Sequence, residues 1–296
     1  MPLLARVAVR SVERLSPSYV RVELGGDELA EFGTDGPTYD QRIKLVFPGP
    51  AGLPVLGQDT WWQEFCALPE EGRGHVRTYT IREVRGSVEA PTIVVDFVLH
   101  PGAHGPGSGW AETAAVGDEL LTVVPRRGQL FGGIEWSPGD AERLLLVADE
   151  TAVPAVCSIL GSLPDDAAGT AFLEVPDAAD VQKVCAPAGI DVQWLPRHGA
   201  PVGSLALGAV GGLLGFSAPA EVPASGEVDP NLWETPTYSS SGEALDPGRG
   251  DGRYAWIAGE SGMVTALRRH LVKEVGLPRQ QVAFMGYWRH GVAMKA

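Results

Sequence analysis

The sequence of 296 residues contains few cysteines and no closely spaced pair of them. Cys66, Cys157 and Cys185 are the complete set, and no Cys-x-x-Cys motif occurs. This scarcity argues against a disulfide framework, a zinc ribbon and an iron–sulfur cluster held by cysteine. We expect a cytoplasmic protein with reduced thiols.

Positive charge is also scarce, since 23 Lys and Arg residues stand against 37 Asp and Glu, for a formal net charge of −14. A chain this acidic is poorly suited to a phosphate backbone, so we expect no nucleic-acid partner. An anionic ligand would need a local group of cations, which makes each such group in the sequence informative.

Long apolar runs and the common dinucleotide fingerprint Gly-x-Gly-x-x-Gly are both missing. No stretch reaches the roughly 18 apolar residues of a membrane helix, so we expect no membrane insertion. Residues 1–10 lack an apolar core long enough for a signal peptide.

Short alternating strands fill the first part of the chain, residues 1–135. They fall at 4–24 (interrupted at Ser16–Ser18), 40–47, 77–84, 92–100 and 117–124. One short helix, at 59–67, interrupts them, and core packing is the favoured role for its aromatic residues. Many short strands with few helices predict a small antiparallel β-barrel.

Strands and helices alternate in residues 140–296, which predicts a doubly wound parallel sheet with ligands at the carboxyl ends of its strands. A stretch rich in Pro, Ser, Gly and acidic residues, at about 221–252, predicts a mobile loop. The strands are predicted at 143–148, 169–175, 190–195, 254–258 and 281–287, and the helices at 153–160, 177–184, 201–214 and 263–275.

The motif Arg77-Thr78-Tyr79-Thr80 follows a Gly-rich turn and opens a strand. On a strand, Arg77 and Tyr79 share one face while Thr78 and Thr80 share the other. A guanidinium beside a phenol can hold a phosphate and cover an aromatic ring. The same residues would also suit an ordinary exposed strand.

A glycine-rich segment follows at 100–111, where Ser108 is placed to cap a helix that starts at Trp110. A glycine loop opening a helix presents backbone N–H groups to an anion such as a pyrophosphate. A flexible hairpin loop would have the same composition. Further on, the adjacent Arg126 and Arg127 are either a solvated face or one wall of an anion pocket.

Six segments, taken in order, resemble the siderophore-interacting proteins of the ferredoxin reductase superfamily, over essentially the whole chain. Each segment is weak evidence alone, whereas six in the same order are specific. They are Tyr39-x-x-x-x-Lys44-Leu-x-Phe-Pro48, Arg77-Thr-Tyr-Thr80, Val95-Asp-Phe-Val-Leu-His100 with its glycine loop, Asp149-Glu-Thr-Ala-x-Pro-Ala155, Trp256-Ile-Ala-Gly-Glu260 and Gly286-Tyr-Trp-Arg289.

The resemblance implies a reductase of ferric siderophores that carries FAD and takes electrons from NADH, NADPH or a ferredoxin. It implies no general acid, no general base and no metal-ligand set, because the flavin carries the chemistry and the siderophore ligates its own iron. The implied flavin residues are Arg77, Tyr79, Thr80, Asp96, His100, Gly105, Gly107, Ser108, Trp110, Thr151 and Ala152; Gly259, Glu260 and Ser261 would meet the nicotinamide nucleotide; Lys44, Arg127 and Arg289 would attract the anionic ferric complex.

Other functions are compatible with the same motifs. A flavin or ferredoxin reductase with another acceptor would have the same fold, and so would a flavin-bearing siderophore-binding protein without a reductant. The segment Arg126-Arg127-Gly128-Gln129 departs from the family's usual single arginine followed by Gly-Lys or Gly-Arg, so either arginine could face the pocket. We expect a monomer.

Overall fold

The computed structural model describes residues 1–100, 105–217, 233–236, 238–239 and 252–291. The chain forms two compact units, the first ending at Ile134 and the second beginning at Glu135. In the described residues, no helix combines the length and the apolar character that crossing a membrane requires.

Unit 1 is built on a seven-stranded antiparallel sheet with the order β4-β3-β7-β1-β2-β6-β5. Two helices, α1 (Trp61–Ala67) and α2 (Pro106–Thr113), accompany it. The strands are β1 (Leu3–Arg14), β2 (Tyr19–Gly25), β3 (Arg42–Phe47), β4 (His75–Thr80), β5 (Glu83–Gly86), β6 (Pro91–Val98) and β7 (Glu119–Val124).

The connection between β4 and β5 shows that this sheet curls into a half-barrel. These strands lie at opposite ends of the order, yet only Ile81 and Arg82 separate them. Ile81 N donates to Gln41 O beside β3, and Arg82 N donates to Val94 O of β6. Seven flat strands would place the two edges roughly 29 Å apart, whereas two residues span at most about 7 Å. The predicted single strand at 77–84 was therefore wrong, because the chain changes edges in its middle.

The inner face of the half-barrel is apolar, as the alternation of the sequence predicts. On β3, Ile43, Leu45 and Phe47 are buried while Lys44 is exposed. The helix α1 is confirmed, but only Phe65 of its aromatic residues is fully buried, and Trp62 is 40% exposed. The predicted role in core packing therefore applies fully to Phe65 alone.

Unit 2 contains a second seven-stranded sheet with the order β10-β9-β8-β13-β14-β11-β12. The pairs among β8, β9, β10, β13 and β14 are parallel, and an antiparallel hairpin of β11 and β12 lies at one edge. The strands are β8 (Arg143–Ala148), β9 (Ala168–Val175), β10 (Gly189–Pro196), β11 (Trp233–Thr235), β12 (Tyr238–Ser239), β13 (Arg253–Glu260) and β14 (Val282–Trp288), and the helices are α3 (Val153–Leu160), α4 (Ser204–Leu214) and α5 (Ser261–Arg268), which continues as a π-helix over Arg269–Glu274.

The strand order of unit 2 reverses between β8 and β13, which is the point where ligands bind in sheets of this kind. Helices α4 and α5 cover one face, packing on Leu145, Val147 and Ile257. The apolar run of β8 is buried throughout after Arg143 and lies between two parallel partners, as predicted.

Two predictions for unit 2 were wrong. The predicted helix at 177–184 is one 3₁₀ turn, Ala178–Asp180. Asp177 accepts a hydrogen bond from Ala179 N and Asp180 accepts one from Asp177 N, which together form a capping box that starts the turn. The turn ends at Val181, whose backbone is extended. The predicted loop at 221–252 contains β11 and β12, and Glu234 of β11 pairs with Arg268 of α5. The rest of that loop lies outside the described residues.

Candidate functional site

The Arg-x-Tyr-Thr motif forms β4, with its side chains on the faces that the strand period predicts. The Tyr79 ring faces the core, with its centroid 4.5 Å from that of Phe97 and 6.2 Å from that of Phe47. Thr78 faces the other way and accepts a hydrogen bond of 2.7 Å from Lys44 Nζ. Thr80 is buried at the end of the strand. Burial raises the pKa of the Tyr79 phenol, so it stays protonated.

The glycine-rich segment contacts this motif directly. A Cβ atom on Gly107 would lie 1.9 Å from Tyr79 Oη, so no larger residue fits while the phenol keeps its position. The indole of Trp110, one turn further on, packs at 5.4 Å from Phe47 and 5.5 Å from Phe97. We refer to Phe47, Tyr79, Phe97 and Trp110 as the aromatic cluster.

Helix α2 begins earlier than the sequence suggested. Gly105 is its N-cap and Pro106 its first residue, a position that proline favours because its φ is already helical. Ser108 therefore lies inside the first turn, and the prediction that it caps the helix was wrong. Among the residues that the structure describes, no side chain caps this end of α2, and a Cβ on Gly105 would meet none of their atoms. Residues 101–104, also part of the predicted loop, lie outside the described residues.

Arg77 is a half-buried cation without an acidic partner among the described residues. Its Nη1 donates to Val76 O at 2.7 Å, and no ion pair to a carboxylate forms there. Burial lowers the pKa of Arg77. Burial, followed by the charges of Arg77 and Arg73, also lowers the pKa of His75. This end of β4 is therefore locally positive in a strongly acidic protein.

These features fit a flavin dinucleotide. Arg77 and the uncapped amides of α2 are donors suited to a pyrophosphate. Tyr79 and Trp110, which are only partly buried and pack against the core residues Phe47 and Phe97, provide aromatic surface suited to a flavin ring. The donor set and this aromatic surface thus match the chemistry of FAD.

Two further residues, Asp96 and His100, were predicted to contact the cofactor, and they differ in whether their side chains are available to it. Asp96 is buried and receives two hydrogen bonds from Arg21, at 2.7 and 2.8 Å, with Arg82 3.8 Å away. Its carboxylate is occupied by this cross-strand pair, so direct contact with a ligand has no support in the geometry. His100 is half-buried just after β6.

Two of the cations predicted to attract the substrate lie in unit 1. Lys44 is exposed on the outer face of β3, where loss of water around its ammonium group, and secondly Arg42, lower its pKa. Arg127 instead donates through Nη2 to three carbonyl oxygens, those of Ala30, Phe32 and Val88, at 3.2, 3.1 and 2.8 Å. Arg127 therefore connects three segments of backbone, and its neighbour Arg126 lies 3.4 Å from Glu31.

In unit 2, the ends of three parallel strands meet at Asp149. This fully buried carboxylate accepts four hydrogen bonds: from Thr151 N at 2.8 Å, Thr151 Oγ1 at 2.6 Å, Glu260 N at 2.6 Å and Trp288 Nε1 at 2.7 Å. We call this arrangement the strand-end hub. It connects the ends of β8, β13 and β14 at the reversal of the strand order.

Gly259 is required by this hub. Its φ of +145° disfavours other residues, and a Cβ would lie 2.6 Å from Asp149 Cγ. Burial, and secondly the charge of Glu150, raise the pKa of Asp149 to about 7. Asp149 is therefore the central residue of the strand-end hub. Sequence analysis identified it only as part of a motif.

The other predicted nucleotide residues of unit 2 lie around the hub. Glu260 caps α5 by accepting from Gly262 N and Met263 N, at 2.5 and 3.1 Å, and its other oxygen accepts from His290 N at 3.2 Å. Ser261 is the first residue of α5, and its Oγ donates to Trp288 O. Thr151 and the buried Ala152 precede α3, and Arg289 follows β14.

A buried ion-pair network that sequence reasoning missed lies next to the hub. Arg197, after β10, binds Glu150 at 2.5 and 2.9 Å and Glu174 at 3.4 Å. Glu174 also accepts from Gly203 N and Ala206 N at the start of α4. Burial is the main cause of the raised pKa of Glu174. A signal existed, because a charged residue inside the apolar strand β9 must have a buried partner.

A curled antiparallel sheet with donors and aromatic side chains suited to a flavin dinucleotide, followed by an α/β sheet with a topological switch point, defines the class of two-domain flavin-binding proteins. Comparison with known proteins identifies the family within this class. The chain belongs to the siderophore-interacting protein family: the model of the siderophore-interacting FAD-binding domain matches residues 8–129, and that of the siderophore-interacting protein matches residues 141–291. FAD is its cofactor.

Individual relatives agree with this assignment. Ferric vibriobactin reductase ViuB of Vibrio cholerae is 29% identical over 283 residues, covering 94% of this chain and 86% of that protein. The NADPH-dependent ferric-chelate reductase of Escherichia coli is 34% identical over 194 residues, covering 64% of this chain and 70% of that protein. The crystal structure of a siderophore utilization protein from T. fusca has a TM-score of 0.70 at 32% identity, covering 98% of this chain and 94% of that one.

More distant reductases share the fold alone. The ferredoxin reductase of carbazole 1,9a-dioxygenase has a TM-score of 0.58 at 16% identity, covering 96% of this chain and 69% of that one.

Proposed function

We propose that this protein reduces ferric siderophores, using FAD and electrons from NADH or NADPH, and so releases iron as Fe(II). The observation that carries the proposal is the pair of cations in unit 1, Arg77 and Lys44, which have no carboxylate partner among the described residues of an acidic protein. The activities named for ViuB and the Escherichia coli relative support the same conclusion.

Arg77 and the start of α2 would hold the pyrophosphate of FAD, with His100 beside them. Tyr79, Thr80 and Trp110 would contact its ring system. Bound FAD supplies the conversion between two-electron transfer from a nicotinamide and one-electron transfer to iron. The tight contact between Gly107 and Tyr79 sets the distance between the ring-binding strand and the phosphate-binding helix.

The hub of unit 2 would shape the nucleotide site. Hydrogen bonds to Asp149 and Glu260 fix the backbone from Gly259 to Ser261, which would contact the nucleotide. Thr151 and Ala152 lie on the adjacent turn. Because Asp149 and Glu260 accept hydrogen bonds from the protein itself, we assign them to positioning rather than to proton transfer. A ferredoxin is the alternative electron donor.

Lys44 and Arg289 would attract the anionic ferric complex. Outer-sphere reduction of Fe(III) needs no nucleophile and no protein ligand to the metal. Reduction lowers the charge on iron, which weakens its bonds to hard oxygen ligands and favours release. Arg127 is less available to the complex than expected, since its guanidinium is bound to three carbonyls.

Visible spectroscopy of the purified protein under anaerobic conditions tests the proposal. Flavin absorbance should bleach on addition of NADH or NADPH and return on addition of a ferric siderophore. Bleaching by reduced ferredoxin alone would identify a different donor. A colourless protein that cannot be reconstituted with FAD would refute the proposal.

Two substitutions test the acceptor site separately from the flavin. Lys44→Ala and Arg289→Ala should each weaken binding of an anionic ferric complex, measured by quenching of flavin fluorescence, while the FAD content stays at the wild-type level. Arg85→Ala is the matched control, because Arg85 is an exposed cation of the same protein already paired with Glu23 and Glu83. Unchanged binding in Arg289→Ala would exclude that residue from the pocket.

A further inference from the structure

The carboxyl end of β9 carries a residue that bears on which nicotinamide nucleotide the protein uses, an inference that rests on the proposed function. Strands β10-β9-β8-β13-β14 reproduce the order 3-2-1-4-5 of dinucleotide-binding sheets. In such sheets an acidic residue after the second strand accepts a hydrogen bond from the ribose 2′-hydroxyl of NAD, whereas an arginine accommodates the 2′-phosphate of NADP. The second strand here is β9, and Asp177 follows it by two residues.

Asp177 presents an ionised carboxylate in a fixed position. Its side chain is 58% exposed, and its Oδ1 accepts a hydrogen bond from Ala179 N at 3.2 Å. The N–H of Ala179, and to a smaller extent His198, keep the pKa of Asp177 below its ordinary value. The backbone is fixed as well, because Asp177 N donates to Asp180 Oδ2. One oxygen is thus bound to the protein while most of the side chain faces solvent.

The cations near this carboxylate are not arranged to receive a phosphate. Arg197, the only arginine between β9 and α4, has a side chain only 8% exposed and is occupied by Glu150 and Glu174. His198 Nδ1 lies 3.4 Å from Asp177 Oδ2. Lys183, exposed in the connection from β9 to β10, is the remaining cation of this region. A 2′-phosphate would therefore meet a carboxylate before any available guanidinium.

We propose that Asp177 makes this protein selective for NADH over NADPH, by accepting a hydrogen bond from the adenosine 2′-hydroxyl and repelling a 2′-phosphate. The preference would be opposite to that named for the Escherichia coli relative. Asp177 is a specificity residue, remote from the reacting atoms, so its substitution should change KM and leave kcat nearly constant.

The experiment measures kcat/KM for anaerobic flavin reduction of the holoprotein by each nucleotide. Wild type should prefer NADH by about tenfold or more, and Asp177→Asn should reduce that ratio by about tenfold, the effect of one near-surface charge interaction. Asparagine can still cap the 3₁₀ turn, so the fold should be retained. Asp165→Asn is the matched control: it removes the same charge from an exposed residue before the amino end of β9, and should leave the ratio unchanged.

Other results would overturn the inference. Equal use of the two nucleotides by wild type would do so, as would an unchanged ratio in Asp177→Asn. A wild-type preference for NADPH that Lys183→Ala abolishes would assign the 2′-phosphate to Lys183 instead. If neither nucleotide bleaches a flavin that dithionite does bleach, the proposed nicotinamide donor fails as well, which separates that failure from an error about selectivity alone.

Discussion

Unit 1 and unit 2 use their charged residues in opposite ways. In unit 1, Arg77 and Lys44 keep positive charge without a carboxylate partner among the described residues. In unit 2, the buried acids at the strand ends are satisfied within the protein, Asp149 by four hydrogen bonds and Glu150 by Arg197. These two cations leave charge available for a ligand, whereas these buried acids use their charge to shape the backbone.

This difference separates two reasons why a charged residue occurs in a functional motif. A half-buried cation without a partner pays a desolvation cost that a bound anion would offset, so it indicates a binding site. A buried acid with all its hydrogen bonds made indicates a fixed backbone, onto which neighbouring atoms can bind a ligand. The substitutions below test which reason applies to each residue.

The largest effect is expected for Arg77→Ala. Loss of a charge-assisted contact of about 1.5–3 kcal/mol should weaken FAD binding roughly 10- to 100-fold, measured as flavin content after purification and by isothermal titration of the flavin-free protein. Arg85→Ala, on the opposite edge strand of the sheet, should retain flavin. An Arg77→Ala protein with full flavin content would contradict the proposal that Arg77 binds the pyrophosphate of FAD.

Gly107→Ala should destabilise unit 1, because its Cβ would collide with Tyr79 Oη. Overpacking of this kind costs about 1–3 kcal/mol, to be measured as the fall in the thermal unfolding midpoint. Gly109→Ala is the control, since a Cβ there meets open space and alanine favours a helix by about 1 kcal/mol relative to glycine. Equal midpoints for the two variants would show that Tyr79 moves freely away from α2.

Arg127→Ala tests a cation of unit 1 that the structure uses internally. Removing the donor to three carbonyls should lower the free energy of unfolding by about 1 kcal/mol, while affinity for an anionic ferric complex changes less than in Lys44→Ala. Denaturant unfolding and ligand titration measure the two quantities on the same variant. A larger loss of ligand affinity than in Lys44→Ala would place Arg127 in the pocket after all.

Asp149 is expected to contribute a pH dependence to the stability of the protein. Its pKa is raised from 3.8 to about 7, so the folded state binds an additional proton between those values. This group therefore favours folding at the acid end of that interval, and the contribution is lost as pH rises through about 7. The unfolding midpoint of Asp149→Asn, compared with wild type across this interval, should fall less with rising pH. Parallel profiles would show that Asp149 does not titrate there.

Much of the fold could be predicted because it depends on local patterns. The alternation of β3 and the apolar run of β8 report burial of one face and of both faces, and the structure confirms these elements. The helix predicted at 177–184 begins as expected, with a capping box of Asp177 and Asp180, but the backbone becomes extended at Val181 after one turn.

The residue types of the candidate site can be read from the chain alone: an arginine and a tyrosine alternating on a strand, a glycine-rich helix start, and acids after buried strands. Their partners depend on the tertiary fold. Gly107 meets Tyr79, Arg127 meets three distant carbonyls, and Trp288 meets Asp149, which lies 139 residues away in sequence. These contacts depend on the curling of one sheet and on the strand order of the other. Both features arise from long-range pairing, which local propensity does not encode.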